Sequence, residues 1–275
     1  MKQKSGSKKR KKSRRSKLLI VSAVIILLIV IALLVVFVSP LFAVREIDIA
    51  ETEHISEADI AAYLDRYMDK NGLVTVLKNS SLRQKNSFFS LRLSEVEDEI
   101  LFDHAYLEAV TVRFEPKHKL RVELTERKAS FLTEYYDIFL LCDIHGIVLD
   151  TFTREDVPDD MPLVKGITPE GYKLGRSISD GKDRNIDAAI KICGLMTQLD
   201  MMGYVDIVDV SDYSSIRMYC APSLTIILGS PDDVGVRLSL LKGTMDDGLN
   251  GNSDGTLTLI DGKKATFVKN GERGD

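Results

Sequence analysis

VTVRFEPKHKLRVELTE, residues 110–126, alternates apolar and polar side chains on either side of a Pro-Lys-His turn. Val110, Val112 and Phe114 point one way, with Thr111 and Arg113 the other. After Pro116-Lys117-His118, Leu120, Val122 and Leu124 alternate with Arg121, Glu123 and Thr125. A period of two on both sides of a turn predicts a β-hairpin with one apolar face. That face needs a cover, and the sequence upstream supplies one. Ser56-Glu57-Ala58-Asp59 and Ser94-Glu95-Val96-Glu97 each set a Ser three residues before an acid, the pattern of a helix start. Ile60, Tyr63 and Leu64 mark one face of the first helix, and Ile100 and Leu101 follow the second start. Val44, Ile47 and Ile49 open an extended segment before them. One strand, two helices and two strands predict a small sheet covered on one side, and Tyr67 to Gln84 reads as an insertion between the helices.

Further upstream, Leu18 to Val38 reads LLIVSAVIILLIVIALLVVFV, with Ser22 its one polar side chain. A helix of that length, at about 1.5 Å per residue, crosses a hydrocarbon core of about 30 Å. A cleaved signal peptide would have a shorter apolar run followed by a small-x-small site, whereas Ser39-Pro40-Leu41-Phe42 follows here. The expectation is an uncleaved transmembrane anchor over 18–38. Residues 1–17 carry ten Lys and Arg and no acid, so the remaining 27 basic residues face all 41 acidic ones, a balance of about −14. A basic run abutting a membrane span is held on the cytoplasmic side and meets anionic headgroups. It predicts a short cytoplasmic tail with the bulk of the chain outside, and argues against nucleic acid as its partner.

Downstream, Tyr136 to Asp143 reads as a strand running to a His145-Gly146 turn, and Ile147 to Asp150 as its return. A helix fits Ile186 to Met201, with Ile186, Ala189, Ile190, Cys193, Met196 and Leu199 on one stripe. Val205 to Val210 alternates as a strand, Ile216–Cys220 and Leu224–Leu228 flank Ala221-Pro222-Ser223 as a hairpin, and Thr256–Ile260 and Ala265–Val268 form the last two strands. The fold class predicted is α+β: one N-terminal transmembrane helix, a β-α-α-β-β domain over 42–127, a second mixed, β-rich domain over 128–268 and a tail over 269–275.

Catalytic chemistry finds little support. His54, His104, His118 and His145 lie in turns or at helix ends without metal-ligand spacing, and no nucleophile motif of the G-x-S-x-G kind is present. Cys142, Cys193 and Cys220 are odd in number and far apart, which suits small apolar core residues better than a disulfide framework. Asn250-Gly251-Asn252-Ser253-Asp254-Gly255-Thr256-Leu257-Thr258-Leu259-Ile260-Asp261 spaces its oxygens like a calcium loop. It begins with Asn, ends with Asp where a longer Glu is needed, and is followed by strand-like Ala265-Thr266-Phe267-Val268. A polar loop leading into a hairpin, turning at Asp261-Gly262-Lys263, accounts for it better, so no catalytic, metal or cofactor-binding residue is expected. A terminal hairpin often lies at a sheet edge, where unpaired backbone groups can accept a strand from another protein.

The ordered series of these segments resembles one family. Phe42-Ala43-Val44-Arg45-Glu46-Ile47-Asp48-Ile49 and Ile55-Ser56-Glu57-Ala58-Asp59-Ile60 resemble the opening of a POTRA domain. Asn86-Ser87-Phe88-Phe89-Ser90-Leu91, Ala109 to Pro116 and Leu120 to Arg127 resemble its later parts. Tyr136 to Val148, Met161-Pro162-Leu163-Val164-Lys165-Gly166 and the run from Leu224 to Leu241 resemble the second domain of the FtsQ/DivIB bacterial cell-division proteins. Asp103-His104-Ala105-Tyr106, where that family usually has a Pro, departs from the pattern. The resemblance implies a non-enzymatic divisome scaffold in the cell membrane at the division septum, which regulates septal peptidoglycan synthesis. It implies single-pass coiled-coil partners of the FtsB/DivIC and FtsL type, docked on Thr256, Leu257, Thr258, Leu259, Ile260, Ala265, Thr266, Phe267 and Val268. The alternative is an extracellular POTRA-containing adaptor for polypeptide transport or sporulation.

Overall fold

The computed structural model describes residues 7–79, 91–115, 117–220, 222–251, 254–260 and 262–271. Expectations placed on Asn86 to Ser90, Pro116, Ala221, Asn252, Ser253, Asp261 and the last four residues lie outside them. The chain divides into two units, Met1–Ile100 with Ala109–Leu124, and Leu101–Glu108 with Thr125–Asp275.

The first unit opens with helix α1 (Ser7–Val38). Its stretch Leu19–Phe37 has a mean hydropathy of 3.6 and no residue buried in the protein, so it is long and apolar enough to cross a membrane. Ser22 Oγ donates to Leu19 O at 2.9 Å, which gives the one polar side chain of the apolar run a partner within the helix. The helix continues back to Ser7, through basic residues read from the sequence as a tail. Lys and Arg are good helix formers, and the apolar run has already supplied the costly nucleus.

Strand β1 (Glu46–Ile49) and helix α2 (Glu57–Leu64) follow. Ser56 caps α2 as its spacing predicts, Oγ accepting from Asp59 N at 3.1 Å, with Glu57 and Asp59 favourably placed in the first turn. A third helix, α3 (Gly72–Asn79), lies inside the segment read as an insertion. Asn71 starts it, Oδ1 accepting from Leu73 N and Val74 N at 3.0 and 3.2 Å. The Nδ2 of the same side chain donates to Val36 O and Phe37 O, both at 3.1 Å, so it also closes the end of α1. Gly72 is required by packing: a Cβ there would stand 2.2 Å from the Phe114 ring.

Helix α4 (Ser94–Asp103) and strands β2 (Leu107–Glu115) and β3 (Lys119–Glu126) complete the pattern. The sheet order is β1-β3-β2, with β1 parallel to β3 from Glu46↔Lys119 to Ile49↔Val122. Val110, Val112, Phe114, Leu120 and Val122 are buried, as their alternation predicts, together with Ile60, Leu64, Val96 and Ile100 of the helices. Glu97 is 3% exposed; it accepts from Arg92 Nη2 at 2.7 Å and from Val112 N at 2.8 Å, fastening α4 to β2.

In the second unit, strands β4 (Ala129–Tyr135), β5 (Ile138–Asp143), β6 (Val148–Phe152) and β7 (Leu163–Lys165) precede helix α5 (Arg184–Gln198). Strands β8 (Ile207–Asp209), β9 (Ile216–Cys220) and β10 (Ser223–Gly229) lead to helix α6 (Val234–Asp246), then β11 (Asp254–Ile260) and β12 (Lys264–Lys269). All nine strands form one sheet in the order β12-β11-β10-β9-β8-β7-β4-β5-β6. Phe131, Leu140, Val208, Met218, Ile226 and Leu257 bury one face against Ile192 and Met196 of α5 and Leu238 and Leu241 of α6. Leu132 and Leu141, one residue further along their strands, face the other way and cluster with Phe139, Phe152 and Met161.

Two readings of this unit change. Tyr136 begins no strand: at φ 52° it forms the turn between β4 and β5, and Ala129–Tyr135 is the strand before it. Helix α5 starts at Arg184 because Asp183 Oδ1 accepts from Asn185 N at 2.8 Å, and it stops at Gln198, short of Met201.

Candidate docking edge at the end of the chain

The last hairpin is the outer element of the nine-stranded sheet. Strand β11 adds to β10 in parallel, from Ser223↔Asp254 to Ile227↔Thr258, after the chain crosses over through α6. Strand β12 then returns antiparallel to β11, from Gly255↔Lys269 to Ile260↔Lys264, and has no neighbour on its far side among the described strands. One long backbone edge is therefore presented outward.

Local chemistry fixes this edge in three places. Asp254 Oδ1 accepts from Ser223 Oγ at 2.9 Å and from Asn270 Nδ2 at 2.6 Å, joining β10, β11 and the residue after β12. That carboxylate, the fifth position of the calcium-like pattern, already stands at the start of a strand. At the next residue the Phe267 ring lies over Gly255, where a Cβ would come within 2.5 Å of it. In the hairpin turn, Gly262 has φ +62° and lies against Val236 of α6, whose Cγ1 would be 2.7 Å from an added Cβ.

The residues singled out in the sequence divide by face. Leu257 and Leu259 are 1% and 6% exposed, so their side chains belong to the core and act as scaffold. Thr256, Thr258, Ala265 and Phe267 are half-buried, whereas Ile260, Thr266 and Val268 are exposed. Val236 on α6, which the sequence reading did not single out, joins Ile260 and Val268 among the exposed large apolar side chains. Three exposed lysines, Lys263, Lys264 and Lys269, stand at the two ends of β12. Further along α6, Lys242 Nζ bonds Asp246 at 2.7 Å; this holds the carboxyl below and the ammonium above their ordinary pKa values. Tyr204 OH lies 3.2 Å from the same carboxylate, so the last turn of α6 is tied down.

Cys142, Cys193 and Cys220 are free and buried in strands β5 and β9 and helix α5. Burial pushes all three thiols up, to about 12 for Cys193 and Cys220. Of the histidines, His118 lies in the turn before β3 with Nδ1 2.8 Å from Ala43 O, and His145 lies in the β5–β6 turn of the other unit.

No protein-family model matches the chain. It is similar to the cell division protein DivIB of Clostridium acetobutylicum, 25% identical over 166 residues, 60% of this chain and 64% of that protein. It is also similar to the cell division protein DivIB of Clostridium tetani, 24% identical over 238 residues, 85% of this chain and 82% of that one. A match of that length cannot be confined to one of the two units. An apolar N-terminal helix, a three-stranded unit and a sheet closing on a terminal hairpin follow the order of segments that resembled this family in the sequence. Across both units, then, the chain is similar to cell division proteins named DivIB.

Proposed function

We propose that the chain is a membrane-anchored, non-enzymatic scaffold of bacterial cell division, whose second unit captures single-pass coiled-coil partners of the FtsB/DivIC and FtsL type along β12. The observation that carries this reading is the open outer edge of β12, flanked by exposed Ile260, Val268 and Val236. A partner segment added there gains backbone hydrogen bonds from the edge and apolar contact from those side chains. Lys263, Lys264 and Lys269 oppose pairing between two copies of the same edge and favour an acidic segment. The basic N-terminal run supports an orientation with residues 1–17 inside the cell and everything after the apolar helix outside. Recruitment to the septum and regulation of peptidoglycan synthesis then follow from binding alone.

Two measurements test this. A fluorescent fusion should gather at the septum of dividing cells; uniform membrane signal in cells with normal septa would overturn the division role. Affinity capture of membrane partners should succeed with the intact chain and fail for Val268→Asp, which places a charge on the exposed edge without touching the core. Capture unchanged in that variant and in a Lys264→Glu/Lys269→Glu variant would move docking away from β12.

A further inference from the structure

The apolar stretch of α1 matches the thickness of a bilayer closely. Leu19–Phe37 is 19 residues, about 28 Å of helix at about 1.5 Å per residue, against a hydrocarbon core of about 30 Å. Phe37 therefore sits at the boundary with the headgroups. Asn71 Nδ2 donates to the carbonyl oxygens of Val36 and Phe37, so the start of α3 is held at the same depth. Leu77 lies five residues after Gly72, about 8 Å along α3, and the headgroup layer is itself about 5–8 Å thick. At any tilt, α3 stays within or beside that layer.

The side chains at this depth suit it. Helix α3 buries Gly72, Thr75 and Val76 within its own unit, yet on the rest of its surface Leu73 and Val74 are half-buried and Leu77 is 52% exposed. A helix with apolar residues all round belongs where its outer face also leaves water. Leu41, four residues beyond Phe37, is 68% exposed. Exposed Lys70 and Lys78 bracket α3, and a lysine can lay its stem on apolar surface while its ammonium reaches outward. Exposed Arg45 and Lys117 are brought to the same end: Arg45 N donates to His118 O at 2.7 Å, and His118 Nδ1 lies 2.8 Å from Ala43 O. Of the nearby acids, Glu46 and Asp48 are both engaged by Lys119, and exposed Asp69 stands against these four cations. A basic end on a chain that is acidic after residue 17 is complementary to phosphate.

We propose that this end of the first unit docks on the bilayer leaflet at the Phe37 end of α1. Leu41 and Leu77 enter the headgroup layer, and Arg45, Lys70, Lys78 and Lys117 meet the phosphates of anionic phospholipids. The inference rests on α1 spanning the bilayer and is independent of what β12 binds.

The sequence has no Trp, so Leu77→Trp gives the full chain a single reporter, at an exposed position outside the core. The variant is reconstituted in vesicles of phosphatidylcholine and phosphatidylglycerol, a fraction of which carry a headgroup nitroxide. Blue-shifted emission and strong quenching by the nitroxide are expected. Glu51→Trp, exposed beyond the far end of β1, carries the same intrinsic preference of Trp for interfaces and should show neither. Adding Lys70→Gln/Lys78→Gln to Leu77→Trp should cut the docked-to-undocked ratio roughly thirtyfold, read as loss of quenching. Vesicles of phosphatidylcholine alone should have a similar effect. A reporter at position 77 that floats with the vesicles, yet is quenched by aqueous acrylamide and not by the lipid nitroxide, overturns the docking while leaving the anchor intact. Failure to float would overturn the anchor, and the proposal with it. Equal quenching at positions 51 and 77 overturns the assignment to this end of the unit, and equal quenching with and without phosphatidylglycerol overturns the role of the four cations.

Discussion

Phe267 can lie flat on the hairpin because Gly255 opposite has no side chain. A larger residue there has to move the ring or the backbone oxygen of Val268, and such overpacking costs about 1–3 kcal/mol. Gly255→Val is expected to lower the free energy of urea unfolding by that amount and to loosen β12, read by faster amide exchange from Lys264 to Lys269. Glu97 makes a second prediction at this scale. Glu97→Ala leaves the Arg92 guanidinium and Val112 N without their acceptor, at a cost of about 2–3 kcal/mol, and Glu97→Gln, which keeps an oxygen for Val112 N, should cost less in the same assay. The thiols set a pH dependence. With Cys193 and Cys220 raised from 9.0 to about 12, the unfolded chain ionises first as pH rises. Their stabilisation is therefore complete below about pH 9 and is lost progressively towards pH 12. Iodoacetamide at pH 8 should leave all three unmodified until guanidinium chloride unfolds the chain; rapid labelling of the folded protein would contradict their burial.

Among the elements, legibility followed the strength of the local signal. The β2–β3 hairpin and α2 were readable because alternation and a Ser cap are written in adjacent residues. Helix α3 was not: it starts at a Gly, holds Val74, Thr75 and Val76 in succession, and exists because Asn71 caps it and Phe114, distant in sequence, fills the space above Gly72. Helix α6 offered no polar face to count, since Val236 is exposed while Val234, Leu238 and Leu241 are buried. Asp233, the residue before its first turn, sits at φ 52° and its side chain makes no capping hydrogen bond. The terminal hairpin was found from its alternation, but Val236, one element earlier, could be joined to it only once α6 was seen to pack on β10, β11 and β12. Asp254→Ala should test how firmly the hairpin base is held: loss of the bonds to Ser223 and Asn270 is expected to raise exchange at that base by a few-fold, with the turn end unaffected.

For the molecule as a whole, the anchor sets what the rest can do. Leu19–Phe37 predicts that the chain stays with the membrane pellet after alkaline carbonate extraction; release into the supernatant would contradict a spanning helix. Asn71 grips the other end of that segment, donating to Val36 O and Phe37 O while starting α3. Asn71→Asp retains the acceptor for α3 and loses the donors to α1. Spin labels placed on α1 and β1 should then report a broader distance distribution, with the helical content of α3 unchanged. A side chain 35 residues further along joins the last turn of this rod to the first turn of α3. Twist or tilt imposed on the rod within the bilayer is therefore felt first at α3, through two hydrogen bonds worth about 1 kcal/mol each.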